Sequence, residues 1–134
     1  MTFSIAGRCA RTGMFGVAIT TSSISVGSRC PHVRAGVGAV ATQNITDPHL
    51  ATLVLDAMEA GSDASNAISA VTKGCNFIDY RQLTAVDAKG NTAHFTGKNI
   101  LGTNAISEDT DCVAAGNLLS SEAVAKGISD GFTA

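Results

Sequence analysis

The chain has 134 residues, 45% of them hydrophobic, which is long enough for one domain with a sizeable core. Nine basic and eleven acidic residues give a formal charge of -2 with no run of one sign, so nothing in it attracts a polyanion or an anionic membrane surface. Neither nucleic acid nor membrane is expected as a partner.

Aromatic residues make up only 4% of the chain and tryptophan is absent, so the core must come from Ala, Val, Ile and Leu. Small side chains bury less area each, which favours a second polypeptide or a homo-oligomer. No apolar run is long enough to span a bilayer and no cleaved export signal is seen, so a cytoplasmic protein is expected.

The first twenty-one residues read as a β-hairpin. Phe3, Ile5 and Gly7 alternate with Thr2, Ser4 and Ala6, and after a turn at Ala10 to Gly13 the same period returns with Phe15, Val17 and Ile19. Thr20 to Ser25 is a polar loop or strand end. Cys30-Pro31-His32 lies in a loop-like setting. Cys30 could act as a thiol nucleophile there, but Pro31 favours a structural role.

Arg34 leads into Ala35 to Thr42, whose valines among small neighbours predict a strand buried on both faces. Glycines at 36 and 38 would admit another backbone closely. The run lacks the Lys-Ser/Thr ending of a phosphate loop. Gln43 and Asn44 close the strand, where a side-chain amide could face a cleft.

Asp47 as N-cap and Pro48 at the first helical position predict a helix to about Ala60, stopped by Gly61. Its apolar stripe is Leu50, Leu53, Val54, Ala57 and Met58. A second helix, capped by Ser62 or Asp63, carries Ala64, Ala67, Ile68 and Val71 and ends at Gly74.

Gln82 to Asp87 and Thr92 to Thr96 flank a turn, with Leu83 and Ala85 paired to Ala93 and Phe95 on the inner face and His94 on the other. Residues 98 to 111 show no period, and Glu108, Asp109 and Asp111 read as a solvated acidic loop. Val113 to Ala115 is a short last strand that delivers Gly116-Asn117. A final helix with Val124, Ile128 and Phe132 on one stripe follows, weakened by Gly127 and Gly131.

The four cysteines form no Cys-x-x-Cys pair and, with His32, His49 and His94, no zinc spacing. No disulfide, metal or cofactor is expected. The order of elements predicts an α+β fold with antiparallel sheet and helices on one side, as a single domain over residues 1–134.

Thr2, directly behind Met1, offers a specific chemistry. A neutral hydroxyl needs a base to take its proton as it attacks a carbonyl. If Met1 is removed, Thr2 carries its own base, because a free α-amino group titrates near ~7.7 to 8.0. A hydroxyl at that position is, on its own, most simply the start of a strand.

The opening Met1-Thr2-Phe3-Ser4-Ile5-Ala6 is followed by Gly16-Val17-Ala18-Ile19, Val26-Gly27-Ser28, the run from Arg34 to Gln43, Val86-Asp87-Ala88-Lys89-Gly90, Phe95-Thr96-Gly97 and Gly116-Asn117-Leu118-Leu119. This combination resembles a mostly bacterial family of unknown function related to the N-terminal nucleophile (Ntn) hydrolases, whose members begin Thr-Phe-Ser-Ile after the methionine. The chain resembles the front portion of that family, whose members continue past the point matching Ala134. It departs from them at Ser22, where many have lysine, and at His32, where they have tryptophan.

The resemblance implies an Ntn sandwich, two antiparallel sheets between helical layers, incomplete within this chain. It also implies an amidohydrolase that cleaves a carbon-nitrogen bond of a small molecule. Thr2 would be the nucleophile, and Asn117 or a backbone amide near Gln43 would hold the oxyanion. Ser22, Ser23, Arg34, Gln43 and Asn44 would contact substrate. The alternative is a non-catalytic subunit or small-ligand binding module with the same fold.

Overall fold

A computed structural model describes residues 1–134. In chain order the elements are β1 (Thr2–Arg8), β2 (Phe15–Thr21), β3 (Pro31–Arg34), β4 (Gly38–Asn44), α1 (Pro48–Glu59), α2 (Ala64–Thr72), β5 (Arg81–Asp87), β6 (Thr92–Thr96), β7 (Ala105–Asp109), β8 (Cys112–Asn117) and α3 (Ala123–Thr133). The strands make two antiparallel four-stranded sheets, β2-β1-β8-β7 and β3-β4-β5-β6. α1 and α2 cover the second sheet, and α3 packs on β7, β8 and β1 of the first. The result is a four-layer α+β sandwich. No helix is long and apolar enough to cross a membrane.

The alternation in β1 and β2 acts in a definite sense. Ser4 and Ala6, the small set, are buried between the sheets, whereas Phe3, Ile5 and Ala18 line the outer side beside Ile128 of α3. Small inward residues let the sheets close, and Ala6, Ala39, Val86 and Val113 meet there as a small apolar cluster. α3 lies against the outer side of the first sheet, with its Phe132 ring over Gly7.

The larger core lies on the other side of the second sheet. Val40, Leu83 and Ala85 meet Leu50, Val54, Leu55, Met58, Ala67 and Ile68 of α1 and α2. The expected strand register holds, with Leu83 opposite Phe95 and Ala85 opposite Ala93. Asp47 caps α1 through His49 N–H at 3.1 Å and Asp63 caps α2 through Asn66 N–H at 2.7 Å. β4 is buried on both faces as expected, and Gly38 is where a close approach forbids a side chain: a Cβ there would lie 2.5 Å from the Val86 carbonyl oxygen.

Three expectations are corrected. Pro31–Arg34 is a strand and not a loop, because Pro31 sits at its first residue on the sheet edge, where its missing N–H costs no ladder bond. Residues 105–109, expected as part of a structureless acidic loop, form edge strand β7, with Asp111 in the following turn ion-paired to Arg8 at 2.8 Å. The short last strand is six residues long and central, since β8 lies between β1 and β7.

Candidate functional site at the threonine end of the sandwich

Thr2 opens β1, a central strand, with Thr21 opposite it on β2 and Asn117 opposite it on β8. Its hydroxyl lies 2.8 Å from that of Thr21, and either can be the donor. Thr21 Oγ1 also accepts from Ser23 N–H at 3.2 Å. Met1 is exposed, its ammonium donates to Ser22 Oγ at 3.3 Å, and its carbonyl accepts from Ser22 N–H. The methionine thus stands partly exposed at the end of the sheet, tied to Ser22.

Beneath this end the inter-sheet layer turns polar. Ser4 Oγ donates to Gln43 Oε1 at 2.7 Å and Gln43 Nε2 donates to Gln82 Oε1 at 2.8 Å. Gln82 Oε1 also receives Asn117 Nδ2 at 3.4 Å, and Gln82 Nε2 donates to the Gly116 carbonyl at 3.2 Å. Gln82 is 0% exposed, Gln43 1%, and Ser4 and Asn117 2% each. Amides buried so completely must be paired, and pairing fixes their orientation. Asn117 Nδ2 makes no second hydrogen bond in this network, and Asn117 is the register partner of Thr2.

A loop clamps the strand ends around the site. Leu101 N–H donates to Asn44 Oδ1 at 3.1 Å, and Leu118 N–H donates to the Leu101 carbonyl at 2.9 Å. Both anchored residues have left-handed backbones, Asn44 at φ 76 and Leu118 at φ 51. Asparagine tolerates this readily, whereas a leucine there is strained and is held by its surroundings. Asn44 Nδ2 is occupied by the Tyr80 carbonyl at 2.7 Å, so its side chain ties loops together and faces no cleft. Leu118 N–H is likewise used and cannot hold an oxyanion.

The structure therefore brings Thr2, Asn117, Gln43, Ser22 and Ser23 to one end of the sandwich. Arg34 is not among them, and its reading as a substrate contact is corrected. It pairs with Gly38 at the opposite end of β4 from Gln43, and its guanidinium is taken by Asp56 at 2.9 Å and Glu59 at 2.7 Å. The side-chain bond to Asp56 leads in holding its proton more firmly than usual, against some burial and with help from Glu59. Arg34 staples β3 to α1.

Cys30 is buried and has only the Thr46 hydroxyl near its sulfur, at 3.6 Å; His32 Nδ1 lies 3.4 Å from the Cys30 carbonyl, not its thiol. No thiol-imidazole pair exists. His94 faces Glu108 at 3.4 Å across the sheet edges, away from Thr2. No three His, Cys, Asp or Glu side chains come together to hold a metal ion.

The largest concavity, of about 610 Å³, is elsewhere, lined by Gly36, Glu59, Asp63, Asn66, Asp87 and Lys89 among others. Both Asp87 oxygens are already taken there, by the N–H groups of Ala64, Lys89 and Asn91 and by the Asn91 amide, so that carboxylate is structural.

Sequence reasoning missed Gln82, Ser4 and Thr21. For Gln82 the missed signal is that the face opposite Leu83 and Ala85 carries Gln82, Thr84 and Val86, a polar-to-apolar gradient on a strand buried on both sides. Reading only the apolar face as buried left the amide on the solvent side.

A family described as "Family of unknown function (DUF1028)" matches residues 2–134. The crystal structure of a Silicibacter pomeroyi protein carrying the same family assignment superposes with a TM-score of 0.95 at 30% sequence identity, covering 99% of this chain and 62% of that one. The chain thus spans less than two thirds of that relative's length. No curated protein matches. Similarity over nearly every residue, in sequence and in fold, means that the chain belongs to the DUF1028 family.

Proposed function

We propose that the protein is an Ntn-type amidohydrolase acting on the carbon-nitrogen bond of a small molecule, with Thr2 as nucleophile once Met1 has been removed. The observation that carries this reading is the placement of Thr2. It sits half-buried at the end of a central strand, its hydroxyl against Thr21 and its register partner Asn117 seated on buried, fully oriented amides. The layer order, helices, sheet, sheet, helix, is the one an Ntn sandwich requires.

In this mechanism the Thr2 α-amino group takes the hydroxyl proton as Oγ1 bonds to the substrate carbonyl carbon. The free Asn117 N–H stabilises the oxyanion. The carbon-nitrogen bond then breaks, the leaving nitrogen receives the proton, and water hydrolyses the threonyl ester to release the acid. Thr21, tied down by Ser23 N–H, holds the nucleophile's rotamer.

The reading includes a second polypeptide or another copy of the chain that completes the sheet. Sedimentation of the purified protein as a monomer across the micromolar range would remove that component.

The test of the chemistry is acylation. Intact mass should show loss of Met1, and 4-nitrophenyl acetate should leave one acetyl group that peptide mapping places on Thr2. Thr2→Ala should abolish both the adduct and the burst of nitrophenol. Retention of Met1 throughout the reactive pool, or an unchanged burst in Thr2→Ala, overturns the enzyme reading in favour of the non-catalytic binding module.

A further inference from the structure

We propose that the Thr2 end of the sandwich holds the carboxylate of an anionic substrate, with Arg29 as its anchor; this names the substrate class for the hydrolase reading and rests on it. Arg29 precedes β3 on the side that continues along β4: Thr42 N–H donates to the Cys30 carbonyl at 3.0 Å, and Pro31 pairs with Ala41. Arg29 itself ends the short 3-10 turn Val26–Ser28, two residues before β3, with its N–H bonded to the Val26 carbonyl.

The guanidinium then bridges the two sheets. Nη2 donates to Ser23 Oγ at 2.9 Å and to the Ile24 carbonyl at 2.8 Å, both just beyond β2, while Nη1 donates to Thr46 Oγ1 at 3.1 Å, just beyond β4. From Ser23 the path to the nucleophile is short, through Ser23 N–H to Thr21 Oγ1 and from there to Thr2 Oγ1.

The company Arg29 keeps is the telling feature. Arg8 is neutralised by Asp111, and Arg34 by Asp56 and Glu59. Arg29 has three neutral oxygens and no carboxylate, and Arg81, which pairs with Asn44 at the same end and donates to the Ile45 carbonyl, likewise has none. Of the five N–H donors of Arg29, these contacts use both on Nη2 and one on Nη1, which leaves one Nη1 hydrogen and Nε–H for single charge-assisted bonds to a carboxylate. Neutral partners hold it in place without cancelling its charge, so it is ordered before an anion arrives.

Ser22 and Ser23 stand beside it as hydroxyls for the remaining lone pairs. The chain as a whole has a formal charge of -2, so attraction for an anion at this end must come from a local cation.

The experiment is a backbone amide NMR titration of the full chain with glutarate, and with neutral glutaramide as its uncharged match. Glutarate should shift the amides of Thr21, Ser22, Ser23 and Arg29, and glutaramide should not. Arg29→Met should weaken glutarate binding by at least ~10-fold, the loss expected of one charge-assisted anchor, and Arg29→Lys should fall between. Equal binding of glutaramide by the native chain, or glutarate binding that Arg29→Met leaves intact, overturns the proposal.

Acylation by the 4-nitrophenyl monoester of glutaric acid separates the two claims. Glutarate binding that survives in Thr2→Ala while acylation by this ester never depends on Thr2 keeps the anion site and sinks the nucleophile. Thr2-dependent acylation with no preference for the anionic ester over 4-nitrophenyl acetate keeps the nucleophile and sinks Arg29.

Discussion

The two buried layers of the molecule are built on opposite terms. Between the second sheet and α1 and α2 lies an apolar layer of Leu, Val, Ile and Met side chains. Between the two sheets the apolar cluster is four small residues, and the layer passes into hydrogen-bonded Ser4, Gln43, Gln82 and Asn117 toward the Thr2 end. The first layer draws its stability from area removed from water. The second depends on every polar group keeping its partner, so it is stable only while complete but holds side chains at fixed angles. Folding strength and chemical orientation are thus placed in different layers.

Leu83→Ala should separate them most sharply. Leu83 is 0% exposed within the helix-side core, and its truncation should cost about 4 kcal/mol by denaturant unfolding, through lost transfer energy and the cavity left behind. Acylation of Thr2 under native conditions should stay at the parental rate. A comparable loss of acylation would mean that the layers are not independent.

Gln82→Leu attacks the other layer. It keeps the approximate volume but strips partners from Gln43 Nε2, Asn117 Nδ2 and the Gly116 carbonyl at once. Unfolding should become easier by about 3 kcal/mol, since buried donors and acceptors are left unpaired. Thr2 acylation should fall with it, because Asn117 is no longer oriented. Stability lost with acylation intact would make the network structural only.

Much of the fold is legible in the sequence because its signals are local. The period of two in Phe3 to Ile19, the Asp47-Pro48 start of α1 and the turn at 88–91 all act within a few residues, and all appear where expected. Position within the molecule is less legible. Arg34 and Arg29 lie five residues apart at the two ends of β3, and nothing local says that one meets Asp56 and Glu59 while the other reaches Ser23 and Thr46. Thr2, Asn117 and Gln43 stand out in the sequence as candidates, yet Gln82, which joins Gln43 to Asn117, was hidden because a strand buried on both faces carries no amphipathic mark.

Asp87 offers a pH-dependent probe of the helix-side layer. Burial works against its ionisation, but the Asn91 side-chain amide and the N–H groups of Lys89, Ala64 and Asn91 outweigh it, and the carboxyl titrates below the ordinary aspartate value. A depressed folded value means stabilisation that is present above the unfolded value of ~3.9 and lost as pH falls through the folded one. Asp87→Ala should therefore cost about 2 kcal/mol at neutral pH. The gap between parent and variant unfolding curves should close on the acid side of that range, and a gap constant with pH would show that the ionised form contributes nothing.

The smallest effect has the opposite sign and tests how strict the inter-sheet layer is. Thr84 is 1% exposed, between Gln82 and Val86 on the inward face of β5, and its hydroxyl has no partner. It marks the point where the layer changes from apolar to hydrogen-bonded, and it belongs to neither part. Thr84→Val keeps the branched shape that suits a strand and removes an unpaired hydroxyl, so it should raise stability by about 1 kcal/mol while leaving Thr2 acylation unchanged. If the substitution instead destabilises and slows acylation, the hydroxyl belongs to the network through a bridging water, and the polar part of the layer extends one residue pair deeper than the direct hydrogen bonds define.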